Sequence, residues 1–371
     1  MLHPTGKDHR ELLLTAVRHA LFGAPLQPED FRGCDWDAFF TLATEQTVLA
    51  IALDGIDSLP KDLKPGVGLV LRYANMLLKT EKRNKQINDV LVALYCQLKE
   101  SGFSPVIMKG QVAAADYPDP MHRQPGDIDV WFPDANEAEK AIDMAKRNYK
   151  CRWMPGEKEV SFEWQGVVIE LHRRIADMQY KPYQRFLQQT ISRLISSCEK
   201  REVVINGVAV AAMPALLTML HQLLHIEYHV LREGIGLRQF CDLAVFLSVH
   251  SNEITARHPR EEIQQLIDGC GISHIAAAIG HILHSALHLP MDHIPFRTSE
   301  KGADLIMEDI WRGGNFGKLL TAKYEGYGFV RRKLVMTPLH WKRYKRYRHL
   351  LPNEAFANFL SKFGRAAKGV K

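Results

Sequence analysis

Gly126-Asp127-Ile128-Asp129-Val130-Trp131-Phe132 is the stretch on which the rest of this chain turns. From Asp127 to Phe132 polar residues alternate with apolar ones before the run becomes wholly apolar. That is the period of a β-strand, so Asp127 and Asp129 leave one face together while Ile128 and Val130 enter a core. Two neighbouring carboxylates repel and are costly unless a cation sits between them. Hard divalent cations such as Mg²⁺ take oxygen ligands of this kind. On its own an Asp-x-Asp pair is often just two solvated edge charges. Removing one of the two carboxylates should therefore cost the fold little and relieve their repulsion.

The strand reading extends to both sides. Upstream, Pro105-Val106-Ile107-Met108 is a short apolar run ending at Lys109-Gly110-Gln111. A glycine at a strand-to-helix turn lets backbone N–H groups approach a phosphate, and Lys109 would neutralise its charge. Downstream, Pro133-Asp134 closes the strand and Asp134 caps a helix over Asn136–Tyr149. Val160–Trp164 and Val167–His172 then form two strands joined by Gln165-Gly166. Glu170 and His172 share a face of the second one. A charge embedded in Val-Val-Ile-Glu-Leu-His needs a reason. If that strand lies beside the aspartate strand, Glu170 completes a three-carboxylate cluster able to hold two metal ions for in-line displacement at phosphorus. Asn206-Gly207, between apolar arms within Glu202–Met213, predicts a second hairpin with a primed turn.

Around this module the period is helical. Helices are expected over Asp8–Phe22, over Trp36–Leu53, and from about Val67 to Lys99, with Lys79–Lys85 a solvated face and Ser101-Gly102 a stop. After Pro214 they are expected at 214–232, 237–250, 259–270, 272–288, 300–311 and 338–349. The fold class is α+β, a small mixed β-sheet set between helical parts. The expected regions are 1–100, helical; 101–213, the αβ core with its second hairpin; and 214–371, helical with a basic tail.

The chain has 371 residues, 46% apolar and 24% charged, proportions that exclude disordered and low-complexity classes. It has no apolar run of about 18 residues, so no transmembrane segment is expected. Charge and histidine interrupt the apolar positions near the N-terminus, a poor secretion signal. Six cysteines without a Cys-x-x-Cys pair fit a reducing, cytoplasmic location better than a zinc ribbon or disulfide frame. The net charge of +6 is uneven. From Arg331 to Lys371 there are 12 Lys/Arg against Glu354 alone, a net of +11, which leaves −5 for everything before Arg331. The body is thus no nucleic-acid coat.

Several lesser features stand against plainer readings. His221, His225 and His229 fall at i, i+4 and i+8, but Glu227 is misplaced for His-Glu-x-x-His, and packing or hydrogen bonding is preferred to zinc ligation. Arg238 and Asp242 have the spacing of an ion pair. Arg312-Gly-Gly-Asn-Phe-Gly-Lys318 fails the phosphate-loop pattern and reads as a helix C-cap and turn. Thr337-Pro338 starts a helix in which Trp341, Tyr344 and Tyr347 interleave with Lys342, Arg343, Lys345, Arg346 and Arg348. Such a helix binds nucleic acid or an anionic lipid surface, or packs its rings on the body with its charges in water.

Lys109-Gly110, Tyr117-Pro118-Asp119-Pro120, Arg123, Gly126-Asp127-Ile128-Asp129 and Glu170-Leu171-His172 together resemble the nucleotidyltransferases of the DNA polymerase β type, in particular a bacterial branch of that superfamily. His221, His225, Gly236-Leu237-Arg238, Cys241-Asp242-Leu243 and Gly313-Gly314-Asn315-Phe316-Gly317 extend the resemblance over most of the chain. It implies a palm-like core that moves a nucleoside monophosphate from an NTP, ATP among the candidates, to a hydroxyl. Asp127, Asp129 and Glu170 would be catalytic and bind Mg²⁺ or Mn²⁺, with Glu170 also helping to activate the acceptor. Lys109, Gly110, Arg123, Gly126 and His172 would bind the nucleotide, and His225 and Arg238 would line a substrate pocket. The sequence does not give the acceptor or the oligomeric state. A small molecule or protein is favoured over nucleic acid because the basic residues are confined to the tail. The alternatives are a non-catalytic nucleotide-sensing or partner-binding module of the same fold, or nucleic-acid binding through the basic C-terminal segment.

Overall fold

The computed structural model describes residues 8–153, 158–197, 201–315, 338 and 340–367. By its contacts the chain forms two units, Met1–Ile175 with Cys198–Thr218, and Ala176–Ser197 with Met219–Lys371. The division into 1–100, 101–213 and 214–371 is one of sequence pattern. In space the N-terminal helices and the sheet belong to one unit.

That unit opens with helix α1 (His9–Phe22), capped by Asp8, whose carboxylate accepts from the Arg10 N–H at 3.0 Å. The helix expected over Trp36–Leu53 is two helices, α2 (Trp36–Glu45) and α3 (Leu49–Ile56). The chain turns between them at Thr47, whose φ of 56° is strained for a β-branched residue. Neither glycine nor proline marks this break. It lets Phe39 and Phe40 of α2 and Ile51 and Ala52 of α3 all become buried. Helix α4 (Val67–Glu100) is long and ends at Ser101-Gly102 as expected. Ile87, Leu91, Leu94 and Leu98 recur at helical spacing and join the core of the sheet.

The sheet has six strands: β1 (Val106–Ile107), β2 (Ile128–Trp131), β3 (Glu159–Trp164), β4 (Val167–His172), β5 (Arg201–Ile205) and β6 (Val208–Ala212). Their order is β3-β4-β2-β1-β6-β5. The β1–β2, β3–β4 and β5–β6 pairs are antiparallel, while β2–β4 and β1–β6 are parallel. Both hairpins form where the sequence places them. Gln165 and Gly166 have φ of 50° and 73°, and Asn206 and Gly207 have 47° and 81°. Positive φ at both central residues matches the twist of the flanking strands. A short turn of helix, α5 (Gln111–Ala114), follows β1, and α6 (Ala135–Asn148) follows β2. Asp134 caps α6 by accepting from the Glu137 N–H at 2.8 Å. Ala138, Ala141, Ile142 and Ala145 of α6 are buried with Val130, Ile169 and Leu171 of the strands.

The second unit is helical: α7 (Lys181–Ser197), most of α8 (Ala215–Arg232), α9 (Leu237–Arg257), α10 (Arg260–Gly269), α11 (Ser273–Leu287) and α12 (Ala303–Gly313). Residues 340–347 are helical, and a last helix runs over Pro352–Ala367. The sequence reading contains no helix α7, although Leu187, Ile191 and Leu194 are spaced for one and are buried. Helix α12 ends at Gly313 and is capped by Gly314 at φ 59°, the expected C-cap and turn. Phe316, Gly317, Lys318 and the cap at Thr337 lie outside the described residues. Among the described residues no helix is long and apolar enough to cross a membrane.

Candidate functional site

Register assembles the site. In the parallel pair β2–β4, Asp129 lies opposite Glu170 and Trp131 opposite His172. Glu170 and His172, two residues apart, rise from the same face, so both reach Asp129. His172 Nε2 is 2.9 Å from Asp129 Oδ1 and 3.4 Å from Glu170 Oε2. On the other side β3 places Glu159 opposite His172, with Glu159 Oε2 3.3 Å from Nδ1 but without hydrogen-bond alignment. Lys109 follows β1, whose antiparallel pairing with β2 brings its Nζ to 3.1 Å from Asp129 Oδ2 and 3.8 Å from Asp127 Oδ1.

β2 lies in the middle of the sheet, and all of its residues are buried. The alternation that usually marks a wet face therefore marks a buried polar centre here. Asp129 is 0% exposed, whereas Asp127, just ahead of the strand, is 34% exposed. Burial alone would raise the Asp129 carboxyl, but the Lys109 ammonium and the His172 imidazole hold it far below the usual carboxylate range. Burial would lower Lys109, and the carboxylates of Asp129, Asp127 and Glu170 raise it instead. His172 is raised in the same way, its burial outweighed by hydrogen bonds to Asp129 and Glu170. Glu170 goes up, chiefly through burial, opposed by the His172 hydrogen bond and reinforced by Asp129 and Asp127. A fixed carboxylate, a more basic one, the Lys109 ammonium and the His172 imidazole therefore share one small space.

The donor set fits a cation. Among the described residues Asp129, Glu170 and His172 form the group whose ligand atoms lie within 4.8 Å of one another. Asp129 Oδ2 is buried and, although it lies against the Lys109 ammonium, has no aligned hydrogen-bond donor. Two carboxylate oxygens and an imidazole nitrogen could hold a divalent ion, with Glu159 Oε2 3.3 Å behind the ring. The cluster differs from the expected Asp127–Asp129–Glu170 trio in one member. Asp127 precedes the strand, its Oδ1 3.8 Å from Lys109 Nζ, and His172 lies in the group with Asp129 and Glu170.

Other expected residues fall as follows. Gly110 has φ 72° and ψ −115°, and a Cβ there would lie 3.3 Å from the Asp127 carbonyl oxygen. Gly126 has open space around it. Arg123 is buried, and its carbonyl accepts from Asn84 Nδ2 at 2.9 Å. Asn84, fully buried on α4, also donates to the Met121 carbonyl at 2.6 Å. His122 is held between Asp54 of α3 and Glu81 of α4. Asn84 and His122 pin the loop that delivers Asp127, and sequence reasoning passes over both. The only signal for Asn84 is a polar residue at an inward helical position. Glu159, the carboxylate behind His172, is missed as well.

His225 and Arg238 lie on α8 and α9 in the second unit. His225 and His229 approach Nε2 to Nε2 at 3.2 Å, and His229 Nδ1 is 3.1 Å from Glu233. The rings of His221 and His225 stack at 5.8 Å. This hydrogen-bonded column matches the packing reading preferred for the three histidines.

The structure is thus a mixed α/β protein whose six-stranded sheet carries an acidic centre on its middle strands. Residues 32–288 match the family model described as uncharacterised nucleotidyltransferase, and the chain belongs to that family. It is similar to a solved structure, an antigenic nucleotidyltransferase-like protein from Paracoccidioides brasiliensis, at 14% identity and a TM-score of 0.34, over 58% of this chain and 96% of that one. No curated protein matches the chain.

Proposed function

We propose that this protein is a divalent-metal-dependent nucleotidyltransferase that moves a nucleoside monophosphate from an NTP to a hydroxyl acceptor and releases pyrophosphate. The observation that carries this reading is the convergence of Asp129, Glu170 and His172, with Lys109 and Asp127 beside them, in a family of nucleotidyltransferases.

Asp129, Glu170 and His172 would hold the ion, Mg²⁺ or Mn²⁺, with Asp127 a further carboxylate at the rim. A bound divalent ion supplies Lewis-acid stabilisation of charge on the phosphoryl oxygens. Asp129 stays ionised throughout, because Lys109 and His172 favour its charged form. Glu170 is the more basic carboxylate of the pair and takes the proton of the acceptor hydroxyl. The acceptor oxygen then bonds to the α-phosphorus as the bond from that phosphorus to the pyrophosphate oxygen breaks. Lys109 offers its positive charge to the phosphates, and the turn at Gly110 gives them a close approach to backbone. Arg123 and Gly126 remain assigned to nucleotide contacts in this reading. The acidic balance of the chain before Arg331 favours a small molecule or a protein as acceptor over nucleic acid.

A second reading, a non-catalytic nucleotide-sensing module, draws on Lys109, a cation of the protein itself lying against both aspartates. Thermal shift with ATP, CTP, GTP and UTP, each with Mg²⁺ or Mn²⁺, addresses both. A ligand that binds only the folded state raises stability by about 2.7 kcal/mol at a hundredfold excess over Kd. The transferase reading expects a metal-dependent shift with one NTP, lost in Asp127→Asn/Asp129→Asn, and pyrophosphate release once the acceptor is supplied. A shift without turnover on any acceptor supports the sensing module. No shift with any NTP and either metal overturns both.

A further inference from the structure

The helix at 340–347 and the helix Pro352–Ala367 sort their side chains in a way the transferase reading does not use. Tyr347 is fully buried, its hydroxyl donating to Asp309. Arg346 pairs with Glu308 at 2.6 Å and Asp309 at 3.1 Å, and Arg343 lies 3.6 Å from Asp309. Those two arginines are thus committed to α12. The other cations of the first helix and its end, Lys342, Lys345 and Arg348, are exposed and make no ion pair among the described residues. The one acid of the tail, Glu354, is buried and turned inward to the Gln179 and Tyr180 N–H groups at 2.7 and 2.9 Å. The outward surface carries cations unrelieved by any acid of its own segment.

The same two helices also expose apolar surface. Trp341, Phe356 and Leu360 are 43%, 49% and 50% exposed. Trp341, Lys345 and Arg348 fall at i, i+4 and i+7, so a ring and two charges share one helical face. Lys345 Nζ lies 5.1 Å from the centre of the Trp341 ring.

We propose that this face docks the protein peripherally on an anionic lipid bilayer, with Trp341, Phe356 and Leu360 entering the headgroup boundary and Lys342, Lys345 and Arg348 meeting lipid phosphates. Exposed aromatic and aliphatic residues ringed by lysine and arginine are the composition of an interfacial helix. A single-stranded nucleic acid fits less well, because its binding draws on open ring faces on which bases stack. Here the rings turn toward one another: Tyr344 stacks on Phe359 at 5.4 Å, and Trp341 lies 5.1 Å from Phe359. Leu360 offers no ring at all.

The test is co-sedimentation of the full chain with vesicles of phosphatidylglycerol and phosphatidylcholine in equal parts, against phosphatidylcholine alone. Binding is expected to the anionic vesicles only and to weaken with added salt. Each cation is worth about fivefold in affinity, so Lys342→Glu/Lys345→Glu/Arg348→Glu should lose about a hundredfold or more. Phe356→Ser/Leu360→Ser should lose about tenfold or more with the charges intact. Both variants alter exposed side chains, and an unchanged Tm confirms that they fold. No pelleting with anionic vesicles at low salt, equal pelleting with neutral ones, or unchanged binding by the charge variant overturns the proposal. Capture of a fluorescent single-stranded oligonucleotide by protein that ignores the vesicles overturns it in favour of nucleic acid.

Discussion

Asp129 and Glu170 face each other in register across the parallel strands β2 and β4, and His172, one pleat further on, hydrogen-bonds Asp129 at 2.9 Å. A helix and a whole hairpin strand separate the two carboxylates along the chain. Only the pairing of two non-consecutive strands brings them together, and the behaviour of each site variant follows from that pairing.

Asp129→Asn should reduce nucleotidyl transfer by about a hundredfold or more, since it removes charge from the centre of the proposed ion site. It should also destabilise the fold, by about 1–3 kcal/mol, because Lys109 and His172 lose the partner they are buried against. Sequence alone suggests the opposite sign, a relief of repulsion. The ion pair at 3.1 Å and the hydrogen bond at 2.9 Å reverse it. Thermal unfolding without nucleotide decides the sign, and an unchanged or raised Tm would show that these contacts contribute nothing.

Glu170→Gln keeps the shape of the side chain and removes its ability to take a proton. The expected result is a strong fall in kcat with NTP affinity comparatively intact, read by single-turnover kinetics beside a binding titration. Unchanged turnover would remove Glu170 from the mechanism.

Gly110→Ala and Gly126→Ala separate two glycines that look alike in the sequence. At Gly110 the backbone has φ 72°, and the added Cβ meets the Asp127 carbonyl oxygen at 3.3 Å. A loss of about 1–3 kcal/mol is expected there. At Gly126 nothing stands in the way, and the change should stay within about 0.5 kcal/mol. Chemical denaturation of the two variants side by side checks the contrast.

His122 predicts a pH dependence of stability. Its hydrogen bond to Asp54, working against burial and helped by Glu81 and Asp119, raises it from 6.5 to about 9. A group raised on folding stabilises fully below its unfolded value and loses that contribution as pH climbs through its folded one. Stability should therefore fall between about pH 6.5 and pH 9. Solvent screens the partly exposed carboxylates around the ring, so the loss from this residue should be about 1–2 kcal/mol. Denaturant unfolding at the two ends of that window measures it, and His122→Gln should flatten the slope. An equal slope in that variant would assign the loss to other groups.

Local features were legible in the sequence because local physics decides them. Gly166, Asn206 and Gly207 adopt positive φ readily, and the pairs Gln165-Gly166 and Asn206-Gly207 make their turns between the flanking strands. Asp8 and Asp134 cap helices with their own carboxylates. The alternation around Asp127 and Asp129, and the shared face of Glu170 and His172, follow from the pleat alone. The break at Thr47 was not legible, because burial of Phe39, Phe40 and Ile51 outweighs the strain of a β-branched residue at φ 56°.

What the sequence determined by itself is the set of elements and the residues each one offers: strands carrying acids, a Lys-Gly turn, and a basic aromatic tail. What only the tertiary structure decided is which of those residues meet. Strand order puts β4 beside β2, burial turns an alternating strand into a sealed polar centre, and packing on Asp309 divides the tail's cations into paired and open ones. The reason is range. Turns, caps and pleats are fixed within a few residues. The meeting of Asp129 with Glu170, His172 and Lys109 depends on contacts between strands far apart in the chain, which no short stretch of sequence encodes.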